Sequence, residues 1–138
     1  MPFAHLNSAP ELSETITRYI FERSHFAPNN ARVKPKALEP AADKLASVFR
    51  IIGLTNEKIW ELGTEFVEPL RGRPSLARAD ILISNVNRLE LQVNQSEPPP
   101  RHADIAGWSD EKDFNMSKAQ VLAADAHLVV RNIQPPHV

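Results

Sequence analysis

The chain has 138 residues, 16 Lys and Arg against 17 Asp and Glu, a formal net charge of −1 and no cysteine. The near-neutral charge excludes a general attraction to nucleic acid or membrane, and the missing cysteines exclude disulfides, thiolate catalysis and Cys-ligated zinc. With 42% apolar residues, we expect a single globular domain over residues 1–138, with short frayed termini at about 1–7 and 134–138. The N-terminus does not resemble a signal peptide, and no apolar run could span a bilayer, so we expect a cytoplasmic protein.

The first predicted element is a helix from about Pro10 to Arg23. Ser8 is suited to cap it, and an apolar stripe recurs at helical spacing along it: Leu12, Ile16, Tyr19 and Ile20.

A basic extended segment follows at 31–38. A period of two places Arg32, Lys34 and Lys36 on one side of it. Because Pro35 cannot donate to a sheet ladder, we expect an edge strand or an irregular extended arm.

The segment Leu45–Ile52 is predicted to be a central strand, because it is apolar on both faces. Arg50 lies on one of these faces. A buried guanidinium needs a carboxylate or an anionic ligand. We therefore expect Arg50 to be buried and bonded to Asp80, Asp104 or Asp125.

The second half of the chain alternates helical and extended patterns. A helix is predicted from Thr55 or Asn56, a strand at 76–83, one helical turn at 85–88 and a strand at 89–93. The last predicted helix starts near Ser109 or Ser117, and a closing strand at 127–133 is the alternative for its end. These elements predict an α+β fold with one small mixed or antiparallel sheet of three to four strands, packed with about three helices.

A proline-rich segment, Glu97–Trp108, carries several groups capable of chemistry. Its three consecutive prolines predict a stiff extended arm leading into Arg101 and His102. Trp108 is expected either to cover the core or to form a stacking wall for a ligand. If the arm is functional, His102 is expected to line a solvent-reachable pocket with at least one of Arg32, Arg50 or Arg78; if the arm braces the fold, His102 is expected to be buried and bonded to backbone.

Several common kinds of site are not expected. The five histidines show no metal-ligand spacing, and the four glycines form neither a dinucleotide-binding nor a P-loop motif. The serine-hydrolase motif GxSxG is also missing, and no Ser, His and Asp order stands out. We therefore expect no metal, no cofactor and no serine hydrolase.

The remaining candidate is an anion site built from cations in extended or loop segments. Its expected ligand-binding residues are Arg32, Lys34, Lys36, Arg50, Arg78, Arg101 and Trp108, with His102 as the catalytic acid or base. The ligand would bear phosphate, as a nucleotide or nucleic acid does, and the domain would bind it or also act on it. Two alternatives remain open: the basic segment only protects a sheet edge, or the proline-rich segment docks a protein partner in a non-catalytic interaction module.

Five short segments together resemble a small uncharacterised bacterial protein family with no established activity. They are RVKPKA at 32–37, SVFR at 47–50, IWELG at 59–63, RAD at 78–80 and PPPRHA at 98–103. The resemblance covers roughly residues 20–130 and implies a stand-alone bacterial domain in the cytoplasm. It implies no catalytic residues.

Overall fold

The computed structural model describes residues 3–131. In chain order the elements are β1 (Thr15–Ile20), β2 (Phe26–Ala27), β3 (Arg32–Val33), β4 (Ala46–Arg50), α1 (Asn56–Phe66), α2 (Glu68–Arg71), β5 (Ala77–Leu82), α3 (Ile83–Arg88), β6 (Gln92–Gln95), β7 (His102–Ala106), α4 (Lys112–Asp125) and β8 (His127–Val130). Short 3₁₀ turns occur at Arg23–His25, Pro28–Asn30 and Pro35–Leu38. The predicted frayed end at 134–138 lies outside the described residues.

One antiparallel sheet of six strands organises the fold, in the order β6-β7-β4-β1-β5-β8. A separate two-stranded sheet is formed by β2 and β3. The α+β class is confirmed. The predicted numbers of strands and helices were wrong. We expected three to four strands and about three helices, whereas residues 3–131 form six strands in the main sheet and four α-helices.

The largest correction concerns the helix predicted over residues 10–23, which is strand β1. The segment TITRYI is rich in β-branched and aromatic residues, which favour strands. Its side chains alternate, so that Ile16 and Ile20 join one apolar cluster while Tyr19 joins another. The spacing of Leu12, Ile16, Tyr19 and Ile20 matched a helix by coincidence, and Leu12 is 56% exposed.

The sheet has an apolar cluster on each face. The larger contains residues of α3 and α4, and the smaller contains Ile59 and Leu62 of α1. Strand β4 contributes Ala46 and Val48 to the first cluster and Phe49 to the second. The prediction of a central strand covered on both faces is therefore confirmed.

Helix α1 begins where the sequence predicts, because the Thr55 side chain accepts a hydrogen bond from the Lys58 N–H at 3.2 Å. The helix lies close to β1. A Cβ placed on Gly63 would lie 2.6 Å from Cε1 of Tyr19, so the glycine allows this close approach.

Residues 97–101 of the proline-rich segment lie in the loop of the β6–β7 hairpin, and the expected extended arm is not formed. The His102 N–H donates to Pro99 O at 3.1 Å, which closes a tight turn with Arg101 at φ 71°. Beyond the turn the chain forms β7, which the sequence analysis did not predict and which pairs with both β4 and β6.

Within residues 3–131, no helix combines the length and apolar character needed to cross a membrane.

Candidate functional site

A gap between two central strands defines the site. Strands β1 and β4 pair only at Ile16↔Arg50 and Thr17↔Phe49. Beyond this point the Arg18 guanidinium bonds two carbonyls: Nη1 donates to Ser47 O of β4 at 2.7 Å, and Nε donates to Ala37 O of the 3₁₀ turn Pro35–Leu38 at 2.7 Å. Arg18 thus takes the place of a strand partner and fixes a positive charge beside Ser47.

Ser47 and His102 meet across the neighbouring strands β4 and β7. Ser47 Oγ is hydrogen-bonded to His102 Nε2, and His102 Nδ1 lies 2.9 Å from Ser96 O. Since a carbonyl oxygen only accepts, Nδ1 carries a proton. In the neutral imidazole Nε2 is then an acceptor, and the Ser47 hydroxyl donates to it.

Two further groups surround this imidazole. The Phe49 ring packs edge-to-face against His102 with centroids 5.3 Å apart. Asp104, two residues along β7, places Oδ1 3.9 Å from His102 Nε2. The imidazole is therefore held in orientation and has a carboxylate close to the nitrogen that faces Ser47.

The Ser47–His102 pair borders a pocket of about 190 Å³. Its polar side is formed by Arg18, Ser47, Arg71 and His102. The other lining residues are mostly apolar: Tyr19, Phe21, Phe49, Phe66, Val67, Leu70 and Pro99. The lining contains two arginines and no acidic residue, so the pocket is suited to an anion that also carries a small apolar group.

The two arginines are close enough to affect each other. Burial, followed by the positive charge of Arg71, lowers the pKa of Arg18 to about 10. Arg18 is therefore charged at neutral pH. The Arg71 guanidinium stacks 5.0 Å from the centre of the Phe21 ring, and its side chain is otherwise exposed to solvent.

Tyr19 contributes its ring to the pocket and directs its hydroxyl elsewhere. The hydroxyl donates to Ile59 O at 2.5 Å. Burial raises the pKa of Tyr19 well above its ordinary value. The phenol is therefore neutral at physiological pH and serves as an apolar wall.

Arg50 is buried as predicted, with 1% of its side chain exposed, but its predicted partners were wrong. It forms a two-point ion pair with Glu14, from Nε to Oε1 at 2.8 Å and from Nη2 to Oε2 at 2.7 Å. Nη1 also donates to Ser8 O at 2.7 Å. Glu14 was missed because it fell within the helix predicted from about Pro10 to Arg23, a segment that contains β1 instead.

The Glu14 carboxyl is held in its ionised form. Burial by itself raises the pKa of Glu14, but the bond from Arg50, the Glu11 N–H and the charges of Arg50 and Arg101 outweigh it. The net effect lowers the pKa below its ordinary value.

Arg101 braces the hairpin loop that carries His102. Its Nη1 donates to Arg50 O at 3.1 Å and to Ile52 O at 2.8 Å. Its backbone N–H donates to Glu97 Oε2 at 2.6 Å, and the same carboxylate accepts the Leu6 N–H at 3.2 Å. The loop and residues near the N-terminus are thereby tied together.

The remaining predicted site residues lie away from the pocket. Arg78 pairs with Asp80 at 3.1 Å and stacks 4.6 Å from the centre of the Trp60 ring. Trp108 is 7% exposed, belongs to the larger apolar cluster and donates from Nε1 to Ile105 O at 3.0 Å. The three basic-segment residues are exposed, in β3, directly after it and in the 3₁₀ turn Pro35–Leu38, and do not line the pocket: Arg32, Lys34 and Lys36.

Of the predicted set, His102 alone lines this pocket. Sequence reasoning missed Arg18, Ser47, Arg71 and Asp104. A usable signal existed for Ser47 and Asp104, because SVFR and RHAD are both strand-like segments, but their pairing in register is a long-range feature. Within residues 3–131, no group of three His, Asp or Glu side chains is arranged to hold a metal ion.

Comparisons with protein-family models, with curated proteins and with solved structures gave no match.

Proposed function

We propose that this domain binds a small organic anion in the pocket beside His102, with phosphate-bearing ligands such as mononucleotides as the first class to test. The observation that supports this most is the presence of Arg18 and Arg71 on a lining without acidic residues. Arginine is the preferred residue for binding phosphate and carboxylate, since its planar guanidinium group offers paired N–H donors. We place the protein in the bacterial cytoplasm, on its composition and the family resemblance.

The size of the pocket limits the ligand. Pockets for drug-sized molecules measure about 300–1,000 Å³. A volume of about 190 Å³ encloses an anionic group and a few attached atoms, with the rest of a larger ligand outside. The exposed Leu70 at the rim is placed to contact that outer part.

The test is binding of inorganic phosphate and of adenosine monophosphate, measured by calorimetry at two salt concentrations. Arg71→Ala removes a charge-assisted contact, so binding should weaken by about tenfold or more. Arg73→Ala is the matched control, because Arg73 lies two residues after Arg71, just beyond α2, but pairs with Glu22. Equal affinities for the Arg71 and Arg73 variants would contradict the proposal.

A second variant tests whether the anion binds in the pocket or on the basic segment. Replacing Arg32, Lys34 and Lys36 together by alanine should leave phosphate affinity unchanged if the pocket is the site. If this triple variant loses binding and Arg71→Ala does not, the anion site lies on the basic segment, and oligonucleotide binding with a steep salt dependence is then expected. The alternative of a protein-docking module remains a prediction.

A further inference from the structure

Ser47 has the local geometry of an activated nucleophile. Its Oγ is exposed at the pocket and hydrogen-bonded to His102 Nε2, and the hydroxyl is the donor when the imidazole is neutral. A third group, Ser96 O, fixes the imidazole through Nδ1 at 2.9 Å. A hydroxyl in contact with a base that is oriented by a third group is the arrangement that defines nucleophilic catalysis by serine.

The arrangement does not follow any known order of serine-hydrolase residues in the chain. The two side chains are 55 positions apart and lie on adjacent antiparallel strands. The fixed tautomer is nevertheless the one that a Ser–His pair needs, with Nε2 free to take the serine proton. Here the Ser96 carbonyl oxygen accepts the hydrogen bond from Nδ1, as a carboxylate does in the usual serine-hydrolase triad.

Two charged groups lie next to Ser47 and His102, and their signs suit nucleophilic attack by the Ser47 hydroxyl. Arg18, held by Ser47 O and Ala37 O, places a positive charge next to the nucleophile. Asp104 lies 3.9 Å from His102 Nε2, where a carboxylate stabilises the imidazolium formed when the proton is taken.

We propose that Ser47 is a nucleophile activated by His102, and that the site hydrolyses a short-chain carboxylic ester that carries an anionic group. The requirement for the anionic group rests on the anion site proposed above. The small, apolar pocket suits a short acyl chain, Arg71 contacts the substrate's anionic group, and Arg18 stabilises negative charge on the carbonyl oxygen.

The reaction is balanced with water as the only co-reactant. Ser47 Oγ forms a bond to the carbonyl carbon while its proton moves to His102 Nε2. The ester C–O bond breaks, and the leaving alkoxide takes this proton to give the alcohol. Water then attacks the acyl-serine, His102 takes a proton from the water, the acyl–Oγ bond breaks, and Ser47 regains the proton as the carboxylic acid leaves.

The first test is labelling with a fluorophosphonate probe, followed by mass spectrometry of the modified peptide. We expect the label on Ser47 and its loss in Ser47→Ala. Ser117→Ala is the matched control, since the exposed Ser117 hydroxyl donates to Asp113 O and not to an imidazole. Absence of label on Ser47 in the folded protein overturns the proposal.

The second test uses two chromogenic esters, 4-nitrophenyl acetate and the 4-nitrophenyl monoester of glutaric acid. The wild-type protein should prefer the anionic glutarate ester, and Ser47→Ala should lower its rate by about a hundredfold or more. Arg71→Ala should remove the preference, so that the two esters are hydrolysed at similar rates. An equal preference in wild type and Arg71→Ala overturns the proposed substrate class.

Ser47→Cys keeps the test decisive if His102→Ala does not fold on its own. A thiol beside the imidazole should react with iodoacetamide at least tenfold faster than the thiol of Ser117→Cys, an exposed position with no imidazole partner, with folding of each variant checked by circular dichroism. Equal rates in two folded proteins overturn the role of His102.

Failure of this proposal can be told apart from failure of the anion site. Ser47→Ala retains Arg18 and Arg71, so it should still bind phosphate. Phosphate binding without labelling of Ser47 would refute the nucleophile alone. Labelling of Ser47 without phosphate binding would refute the anionic substrate and keep the nucleophile.

Discussion

Replacing Glu14 with leucine tests the buried ion pair at the centre of the fold. The Glu14 and Arg50 side chains are 2% and 1% exposed, and they share two hydrogen bonds of 2.8 and 2.7 Å. Removing the carboxylate leaves Arg50 buried with only the carbonyls of Ser8 and Ala9 as acceptors. Breaking a buried pair from one side costs about 3–5 kcal/mol, and these carbonyls place the expected loss at the lower end, about 3 kcal/mol.

Thermal and urea unfolding measure this loss. For a chain of this length 1 kcal/mol corresponds to a shift in Tm of about 3–5 °C, so Glu14→Leu should unfold about 10–15 °C below the wild-type protein. Arg50→Met should cost a similar amount, because it leaves the buried carboxylate without its cation. The exposed pair of Lys58 and Glu61, 2.9 Å apart, provides the control, and Glu61→Leu should leave Tm nearly unchanged.

The double variant decides whether the pair is coupled. Glu14→Leu/Arg50→Met removes both charges, and replacing a whole buried pair by apolar groups is often nearly neutral. We expect the double variant to be more stable than either single variant. Losses that add, or a Glu14→Leu loss below about 1 kcal/mol, would refute the reasoning.

Two further predictions concern pH and packing. Because the folded state lowers the pKa of Glu14, its ionised carboxyl stabilises the fold above pH 4.5, the ordinary pKa, and this contribution is lost as the pH falls through the lower folded pKa. The difference in unfolding free energy between wild type and Glu14→Gln should therefore shrink below about pH 4.5. A difference that stays constant with pH would contradict this prediction. Gly63→Ala should destabilise the protein by about 1–3 kcal/mol although alanine favours helices, because its Cβ would lie 2.6 Å from the Tyr19 ring. Glu65→Ala, at an exposed position in α1, is the control. A Gly63→Ala variant more stable than wild type would contradict the close packing.

Local sequence patterns were sufficient to predict part of the fold. The strand at 46–50 was predictable because both its faces are apolar, and α1 because Thr55 caps an amphipathic segment. β1 was mistaken for a helix because its apolar spacing fits either period, and its β-branched residues were the better indicator. That error also hid Glu14 as the partner of Arg50.

The site required information that no local pattern contains. Ser47 and His102 come together because Phe49 and His102 are paired in the β4–β7 register. Arg18 reaches Ser47 O because β1 and β4 separate after two pairs. Strand order and register are set by the whole core, so these contacts could not be read from either segment alone.

The arginines show why a list of cations is a poor guide to a binding site. Arg50, Arg78 and Arg101 are almost fully buried, and each is bonded inside the fold, to Glu14, to Asp80 or to backbone carbonyls, although Arg78 Nη1 and Arg101 Nε have no hydrogen-bond partner within residues 3–131. A guanidinium enclosed in the fold and away from the pocket cannot reach a ligand there, and moving it would break the pairs that hold the sheet and the hairpin loop. Arg71 differs, since its side chain is exposed and makes no hydrogen bond within residues 3–131, so its donors are available at the pocket. Arg101 braces the hairpin loop that precedes His102, while Arg71 is left exposed at the pocket to meet the ligand.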